Sequence, residues 1–235
     1  MATLAVMALT ARLGLWQVDR GDQKRALQAT LDDRARLPEL PGAALAVTAA
    51  DAEVQHARHV RVTGEWMPDA TLFLENRQMN GQPGFFVVTP LRLAGHADAV
   101  LVQRGWAPRD LMDRTRVPAV PTPAGPVEVL ARVAPPPGRL YDFGGAAETG
   151  PIRQNVDLAA LSSELRQPLR PLSLVQLEGS PAAQGDGLRR AWPAPAADSS
   201  KHDGYAFQWF ALCAVTALLY AWFQLVRPRL PRRAA

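Results

Sequence analysis

Cysteine and lysine are both scarce in this chain of 235 residues. Cys213 is the only cysteine, so the sequence has no internal disulfide and no cysteine cluster for zinc or an iron–sulfur centre. Lys24 and Lys201 are the only lysines among 26 cationic residues. We interpret the excess of arginine as a bias of GC-rich codons, so arginine content by itself does not indicate a nucleic-acid partner.

The excess positive charge lies at the C-terminus. The formal net charge is +4, and residues 227–235 carry four arginines and no acid. Without these four arginines, cationic and acidic side chains are equal in number. The charge therefore predicts membrane orientation, and we expect no nucleic acid among the partners.

A long apolar segment precedes this tail. Residues 205–226 contain no charged side chain, and a helix of that length spans about 33 Å, enough to cross a hydrocarbon core of about 30 Å. We predict a transmembrane helix here, with the basic tail 227–235 in the cytoplasm and the preceding domain outside. The alternative is a buried helix of a soluble protein, although such helices are rarely apolar all round over this length.

The N-terminal segment is apolar but short. Arg12 follows eleven uncharged residues, and a helix that continues to Val18 spans only about 27 Å. We expect residues 1–18 to be a first transmembrane helix that is truncated, as by a start codon assigned too late. A secretory signal peptide is the competing interpretation, yet no cationic segment precedes the apolar run and no convincing cleavage site follows it.

The intervening residues 19–204 are predicted to form a domain rich in strands. Residues 59–66 alternate between apolar and polar, which is typical of a strand, and Asn80-Gly81 is typical of a hairpin turn. Residues 178–201 are rich in glycine, proline and alanine, so we expect a loop that returns to the membrane. Further strands are predicted at 71–77, 84–93, 99–105, 127–133, 152–156 and 172–177, and helices at 24–36 and 157–166.

Short strands at close spacing favour a mainly antiparallel, barrel-like sheet. The predicted fold class is therefore a membrane-anchored α+β protein, in which two transmembrane helices flank an extracytoplasmic β-domain.

The sequence lacks the motifs of common hydrolases and nucleotide-binding proteins. It contains no G-x-S-x-G, no H-E-x-x-H and no P-loop, so a membrane-anchored hydrolase is poorly supported. His56 and His59 are three residues apart at a strand entrance, where extended backbone places them on opposite faces, and no third metal ligand is evident. We interpret both, and His96 in a turn, as solvated surface residues.

His202 differs from the other histidines because it stands three residues before the apolar segment. In a continuous helix Tyr205, Ala206, Trp209 and Cys213 lie on its side. A neutral imidazole between aromatic side chains can hold the iron of a haem. The alternative is an interfacial histidine that anchors the helix end, and the spacing alone leaves both open.

Two polar motifs lie near the ends of predicted strands. Gly105 in Arg104-Gly105-Trp106 suits a positive φ or a close backbone approach, and Arg104 is placed to pair with an acid. Asn76-Arg77 is typical of the entry to a turn. The residue types and their positions favour structural roles for both motifs, and binding roles are the alternative.

Several motifs follow one another in order between residues 12 and 226. They are Leu13-Gly14-Leu15-Trp16-Gln17, Val62-Thr63-Gly64-Glu65-Trp66, Asn76-Arg77, Thr89-Pro90-Leu91, Arg104-Gly105-Trp106, and His202 with Tyr205-Ala206 and Gln208-Trp209-Phe210. In this order, and with the predicted topology, they resemble the surfeit locus protein 1 family. The sequence departs from the family pattern in its short first apolar segment and in Asp203-Gly204 at the start of the second helix.

The resemblance implies an assembly factor for haem-copper cytochrome c oxidase, not an enzyme, in a bacterial inner membrane with its main domain in the periplasm. It implies haem a as a transiently carried cofactor, with His202 as the iron ligand and no other metal site. Tyr205 and Trp209 are then expected to flank the macrocycle. Expected partners are oxidase subunit I, haem a synthase and the lipid bilayer.

The same resemblance implies an interaction surface on the outer domain near Asn76 and Arg104, with Arg77, Gly105 and Trp106 as further interaction or structural candidates. The alternative function is a membrane-anchored scaffold that stabilises an early oxidase intermediate without binding haem.

Overall fold

The alternating segments of the sequence form strands in the barrel unit (Leu31–Pro193), one of two compact units into which the chain divides. The computed structural model describes residues 2–141, 150–192 and 200–229. Positions 230–235 of the predicted cytoplasmic tail lie outside the described residues. The strands are β1 (Leu40–Pro41), β2 (His59–Trp66), β3 (Leu72–Met79), β4 (Gln82–Leu93), β5 (Ala99–Pro108), β6 (Pro126–Ala134), β7 (Ile152–Arg153) and β8 (Leu169–Gln176).

Five of these strands close into a barrel. They pair in the order β2, β6, β8, β5 and β4, and β4 pairs again with β2. The β5–β8 pair is parallel, whereas the other four pairs are antiparallel. At the closing pair, a Cβ on Gly64 would lie 2.2 Å from the Arg92 carbonyl oxygen, so this close approach requires glycine. The predicted mainly antiparallel, barrel-like domain is confirmed.

Strand β3 lies outside the barrel and pairs with β4 and with the short β7. Its register shifts between Leu74 and Arg77, and Asn76 has a φ of +58°, which is the geometry of a β-bulge. Asn76 therefore lies inside the strand and not at the turn entry expected from the sequence. The hairpin turn follows at Asn80 and Gly81, both with positive φ, as their sequence predicts.

Aliphatic side chains fill the barrel, and a second cluster packs outside it. Val100 and Val102 of β5 belong to the inner cluster, whereas Leu101 belongs to the outer one, as expected from the alternation of side chains along a strand. Helix α3 (Leu158–Leu165) covers the outer cluster through Leu161. Its N-cap is Asp157, whose Oδ1 accepts the N–H groups of Ala159 and Ala160, so the predicted helix and cap are confirmed.

The short elements α2 (Ala49–Gln55) and β1 are among those beyond the prediction, and one predicted strand is shorter than expected. Helix α2 begins at the N-cap Thr48, and β1 adds two residues beside β2. The strand expected at 152–156 ends at Arg153. These elements are too short for hydrophobic periodicity to identify them.

The helical unit (Met1–Thr30 with Ala194–Ala235) contains one long helix and most of another. Helix α1 covers Ala2–Ala35 without interruption, so the separate helix expected at 24–36 is instead the end of a longer one. Helix α4 covers Ser200–Ala221. It continues through a π-helical turn (Trp222–Val226) and a 3-10 turn (Arg227–Arg229).

One helix in the described part of the chain is long and apolar enough to cross a membrane. It covers Lys201–Arg229, 29 residues, and an 18-residue stretch within it has a mean hydropathy of 1.8. That two helices cross the membrane therefore remains a prediction from the sequence.

Candidate functional site

Helices α1 and α4 contact each other through small residues within the helical unit. Thr10, Gly14 and Gly21 are buried on α1, and Ala206 is buried on α4. A Cβ on Gly14 would lie 2.7 Å from Cε1 of Phe210, so this ring rests against the α1 backbone. Rows of small residues allow such close approach between helices, and they are typical of helix pairs in membranes.

Two polar contacts show that the helices run antiparallel. Cys213 Sγ lies 3.5 Å from the carbonyl oxygen of Met7, and His202 Nδ1 lies 2.7 Å from Oε1 of Gln17. The later residue of α1 thus meets the earlier residue of α4. The contact with Gln17 makes the start of α4 the candidate site.

The hydrogen bond to Gln17 determines which nitrogen of His202 is free. Because an amide oxygen can only accept, this contact favours the tautomer in which Nδ1 carries the proton and donates it. In this tautomer the lone pair of the half-buried ring lies on Nε2. Histidine ligands of metals have this arrangement, with one nitrogen on the metal and the other donating to an oxygen that fixes the ring.

The other two predicted cofactor residues lie on the same side of α4. Tyr205 and Trp209 follow His202 by three and seven residues in one continuous helix, so all three project to a similar side. Tyr205 is 51% exposed and Trp209 is half-buried. The structure therefore places one imidazole and two aromatic side chains on a similar side of α4.

An ion pair between the helices lies beside His202. Arg25 Nη1 of α1 lies 3.0 Å from Oδ1 of Asp203, and Arg25 Nη2 lies 2.8 Å from Oδ1 of Asp22. Hydrogen bonds to Asp22 and then Asp203 raise the pKa of Arg25 above its ordinary value. The charge of Asp203, where the sequence departs from the family pattern, is thus balanced by α1. Because the pair is exposed, it adds little stability but favours this alignment of the helices.

In the barrel unit, Arg104 is fully buried. Its Nη1 donates to Oγ1 of Thr122 at 2.6 Å, its Nη2 donates to the carbonyl oxygen of Pro121 at 2.9 Å, and its guanidinium lies 4.8 Å from the ring centre of Trp66. Burial lowers the pKa of Arg104 to about 10, although the nearby Asp186 opposes this shift. Arg104 therefore joins β5 to β2 and to the segment before β6.

Asp186 is the acid that Arg104 was expected to pair with. Its Oδ2 lies 3.8 Å from Nη2 of Arg104 and also pairs with Arg190. All three side chains are at most 2% exposed. Two buried arginines thus share one carboxylate, which comes from the segment that the sequence predicted as a loop to the membrane.

Gly105 and Trp106 are also interior residues. A Cβ on Gly105 would lie 2.5 Å from Cβ of Leu188, so the close approach expected for this glycine occurs. Trp106 is fully buried, and its Nε1 donates to the carbonyl oxygen of Arg77 at 2.9 Å. Arg77 in turn donates to Gly138. The contacts of these residues are internal to the barrel unit.

The remaining histidines are not gathered into a cluster. Across residues 2–141, 150–192 and 200–229, no group of three or more His, Cys, Asp or Glu side chains is placed to hold a metal ion. His56 ends α2, where burial lowers its pKa.

Sequence reasoning missed the partners of these residues. For Gln17 the one signal is an uncharged polar side chain at the edge of an apolar segment. Asp186 stands between Gly185 and Gly187, both with a φ of +72°. Its neighbours therefore predicted a turn and gave no sign of a buried ion pair.

The chain is similar to known proteins over most of its length. Residues 4–214 match the model of the SURF1 family. A SURF1-like protein of Monosiga brevicollis is 33% identical over 142 residues, which are 56% of this chain and 51% of that protein. The cytochrome oxidase assembly protein SHY1 of Saccharomyces cerevisiae is 29% identical over 102 residues, 43% of this chain and 26% of that protein.

A SURF1-like protein of Rickettsia bellii is 25% identical over 228 residues, 94% of this chain and 88% of that protein. The chain thus spans about half the length of the Monosiga relative and about a quarter of the yeast relative. The family match covers far more than half of the chain and confirms the resemblance of its motifs. The chain therefore belongs to the SURF1 family, the surfeit locus protein 1 family.

Proposed function

We propose that this chain is an assembly factor for haem-copper cytochrome c oxidase, which carries haem a to oxidase subunit I. Membership of the SURF1 family and similarity to a yeast protein named for cytochrome oxidase assembly support the role in oxidase assembly. The hydrogen bond from Nδ1 of His202 to Gln17 supports the carriage of haem a, because it leaves Nε2 free as an iron ligand.

The residues at the start of α4 suit a haem. His202 presents Nε2 to the iron, Gln17 holds the ring, and Tyr205 and Trp209 offer apolar surface to the macrocycle. When bound, haem a supplies the iron centre that the oxidase uses in electron transfer. The chain itself performs no reaction in this proposal, since it binds, orients and releases the group.

The proposed location is a bacterial inner membrane, with the barrel unit in the periplasm and both α1 and α4 across the bilayer. The apolar helix Lys201–Arg229 and the arginines that follow residue 226 support this orientation. The buried small residues of α1 suit a second crossing helix packed on the first. Subunit I and haem a synthase are the proposed protein partners.

The visible spectrum of the purified full chain tests the haem part. The wild-type chain, His202→Ala and the control His96→Ala are expressed together with the haem a biosynthetic enzymes and purified in detergent. His96 is exposed in a turn of the barrel unit, so its variant is expected to keep the haem of the wild type, whereas His202→Ala loses most of it. A colourless wild type would refute haem carriage, and unchanged haem in His202→Ala would remove His202 from the role.

A second candidate function is a scaffold that stabilises an oxidase intermediate without haem. An exposed apolar loop favours it, because Leu111 is 80% and Met112 is 96% exposed. Oδ1 of Asp110 accepts the N–H groups of Met112 and Asp113, so the loop is held in a defined turn that presents both side chains.

The scaffold function predicts a colourless wild-type chain that nevertheless co-purifies with subunit I. The double variant Leu111→Ser, Met112→Ser is then expected to lose this co-purification. For the haem carrier, the same variant retains its haem spectrum.

A further inference from the structure

We infer that Gln17 is a positioning residue, which fixes the tautomer and ring rotation of His202 so that Nε2 is the nitrogen offered to haem iron. The role towards iron rests on the proposed function. The tautomer can be measured without haem, so the inference and the proposed function can fail separately.

The first argument is the direction of the hydrogen bond. The 2.7 Å contact joins Nδ1 of His202 to Oε1 of Gln17. If the proton were on Nε2, two lone pairs would face each other at this distance, which is repulsive. The contact therefore favours the tautomer with the proton on Nδ1.

The second argument is the place of Gln17 on its helix. It lies between Gly14 and Gly21, at spacings of three and four residues, and both glycines are buried. Gln17 is thus on the side of α1 that faces α4. An imidazole on a single helix can change its χ angles, whereas a partner on a second helix limits that rotation.

Gln23 provides the contrast on the same helix. Its amide donates to Oδ2 of Asp19 and accepts from Nη1 of Arg20, both on α1. Gln23→Leu is therefore a matched control for Gln17→Leu, since it makes the same change on the same helix away from His202.

The tautomer is measured on the full chain without haem. Histidine labelled with ¹⁵N is incorporated into the chain in detergent, and the ring nitrogens are observed at a pH where the ring is neutral. The chain has four histidines, and the variant His202→Ala identifies the signal of His202. We expect the Nδ1–H form in the wild type and in Gln23→Leu, and a mixture of tautomers in Gln17→Leu. An Nε2–H form in the wild type, which a rotated Gln17 amide would produce, would overturn the inference.

The effect on iron is measured by haem titration and resonance Raman spectroscopy. Loss of the partner that holds a metal-binding histidine typically weakens binding 10- to 100-fold, so we expect a loss of roughly that size in Gln17→Leu. Gln17→Glu keeps an acceptor and is expected to restore binding. The iron–histidine stretching frequency should fall in the order Glu, Gln, Leu at position 17, because a stronger acceptor makes the imidazole a stronger donor.

The outcomes separate the inference from the proposed function. A wild-type chain that binds no haem refutes the proposed function, while the tautomer measurement stands. A wild-type chain that binds haem, with equal affinity and an equal stretching frequency in Gln17→Leu, refutes the positioning role. An equal loss of affinity in Gln23→Leu would also refute it, because that loss would come from the helix and not from the contact.

Discussion

The shared carboxylate in the barrel unit predicts an unequal response to two substitutions. Asp186→Asn leaves Arg104 and Arg190 buried together with no acid between them. Removing one partner of a buried ion pair costs about 3 to 5 kcal/mol, because the remaining charge stays desolvated. Arg104→Met instead leaves Asp186 and Arg190 as a balanced pair.

The smaller cost of Arg104→Met follows from its hydrogen bonds. The carbonyl oxygen of Pro121 loses its donor, whereas Thr122 still donates to Val120. One unsatisfied buried acceptor costs about 1 to 3 kcal/mol. We therefore expect Asp186→Asn to be the less stable variant by about 2 kcal/mol, the difference between the midpoints of these two ranges.

Tryptophan fluorescence during urea unfolding of the full chain in detergent measures this difference, since Trp66 and Trp106 report on the barrel. Asp69→Asn is the control, because Asp69 is exposed and such substitutions usually change stability by less than about 0.5 kcal/mol. If Asp186→Asn is as stable as Arg104→Met, the argument from shared charge is refuted.

Three further substitutions test other parts of the structure. In Gly14→Ala the new Cβ meets the Phe210 ring, so we expect α1 and α4 to separate. Maleimide should then label Cys213 faster in detergent. A labelling rate equal to that of the wild type would contradict this packing. Gly105→Ala is expected to lower the free energy of unfolding by about 1 to 3 kcal/mol through overpacking, and unchanged urea unfolding would count against it. Asp157→Ala removes a cap worth about 1 kcal/mol at neutral pH. N–H groups of α3 lower the pKa of Asp157. The difference in helix stability between this variant and the wild type is therefore present above the ordinary pKa of an aspartate and vanishes as the pH falls through the lowered pKa of Asp157. Hydrogen exchange of α3 amides measures this difference, and a difference independent of pH would refute the part that depends on the charge of Asp157.

Local patterns predicted most strands of the barrel. The alternation in residues 59–66 and the Asn80-Gly81 turn act over a few residues, so the sequence expresses them directly. The parallel pair of β5 and β8 depends on segments about seventy residues apart, and no local pattern encodes it. The same holds for the contact at Gly64 that closes the barrel.

Of the two residues in the candidate contact, only His202 could be predicted from the sequence. The position of His202 before an apolar segment made it a ligand candidate, and its side of α4 followed from helical spacing. Its partner Gln17 lies on a helix 185 residues away in sequence, and the pairing of two helices depends on their packing. Asp186 was missed for a related reason, since the burial of a loop residue is decided by what covers it.

The contact face of α1 repeats every seven residues, and this repeat has a consequence for helix alignment. Gly14, Gln17, Gly21 and Lys24 follow at spacings of three, four and three, as in the core positions of a coiled coil. Sliding α1 by one repeat, about 10.5 Å, would place Gly21 where Gly14 lies and Lys24 where Gln17 lies. Lysine has no acceptor for the proton on Nδ1 of His202. The slid alignment loses the contact of Gln17 with His202 and also the ion pair of Arg25 with Asp203, so these two polar pairs together favour the observed register of the two helices.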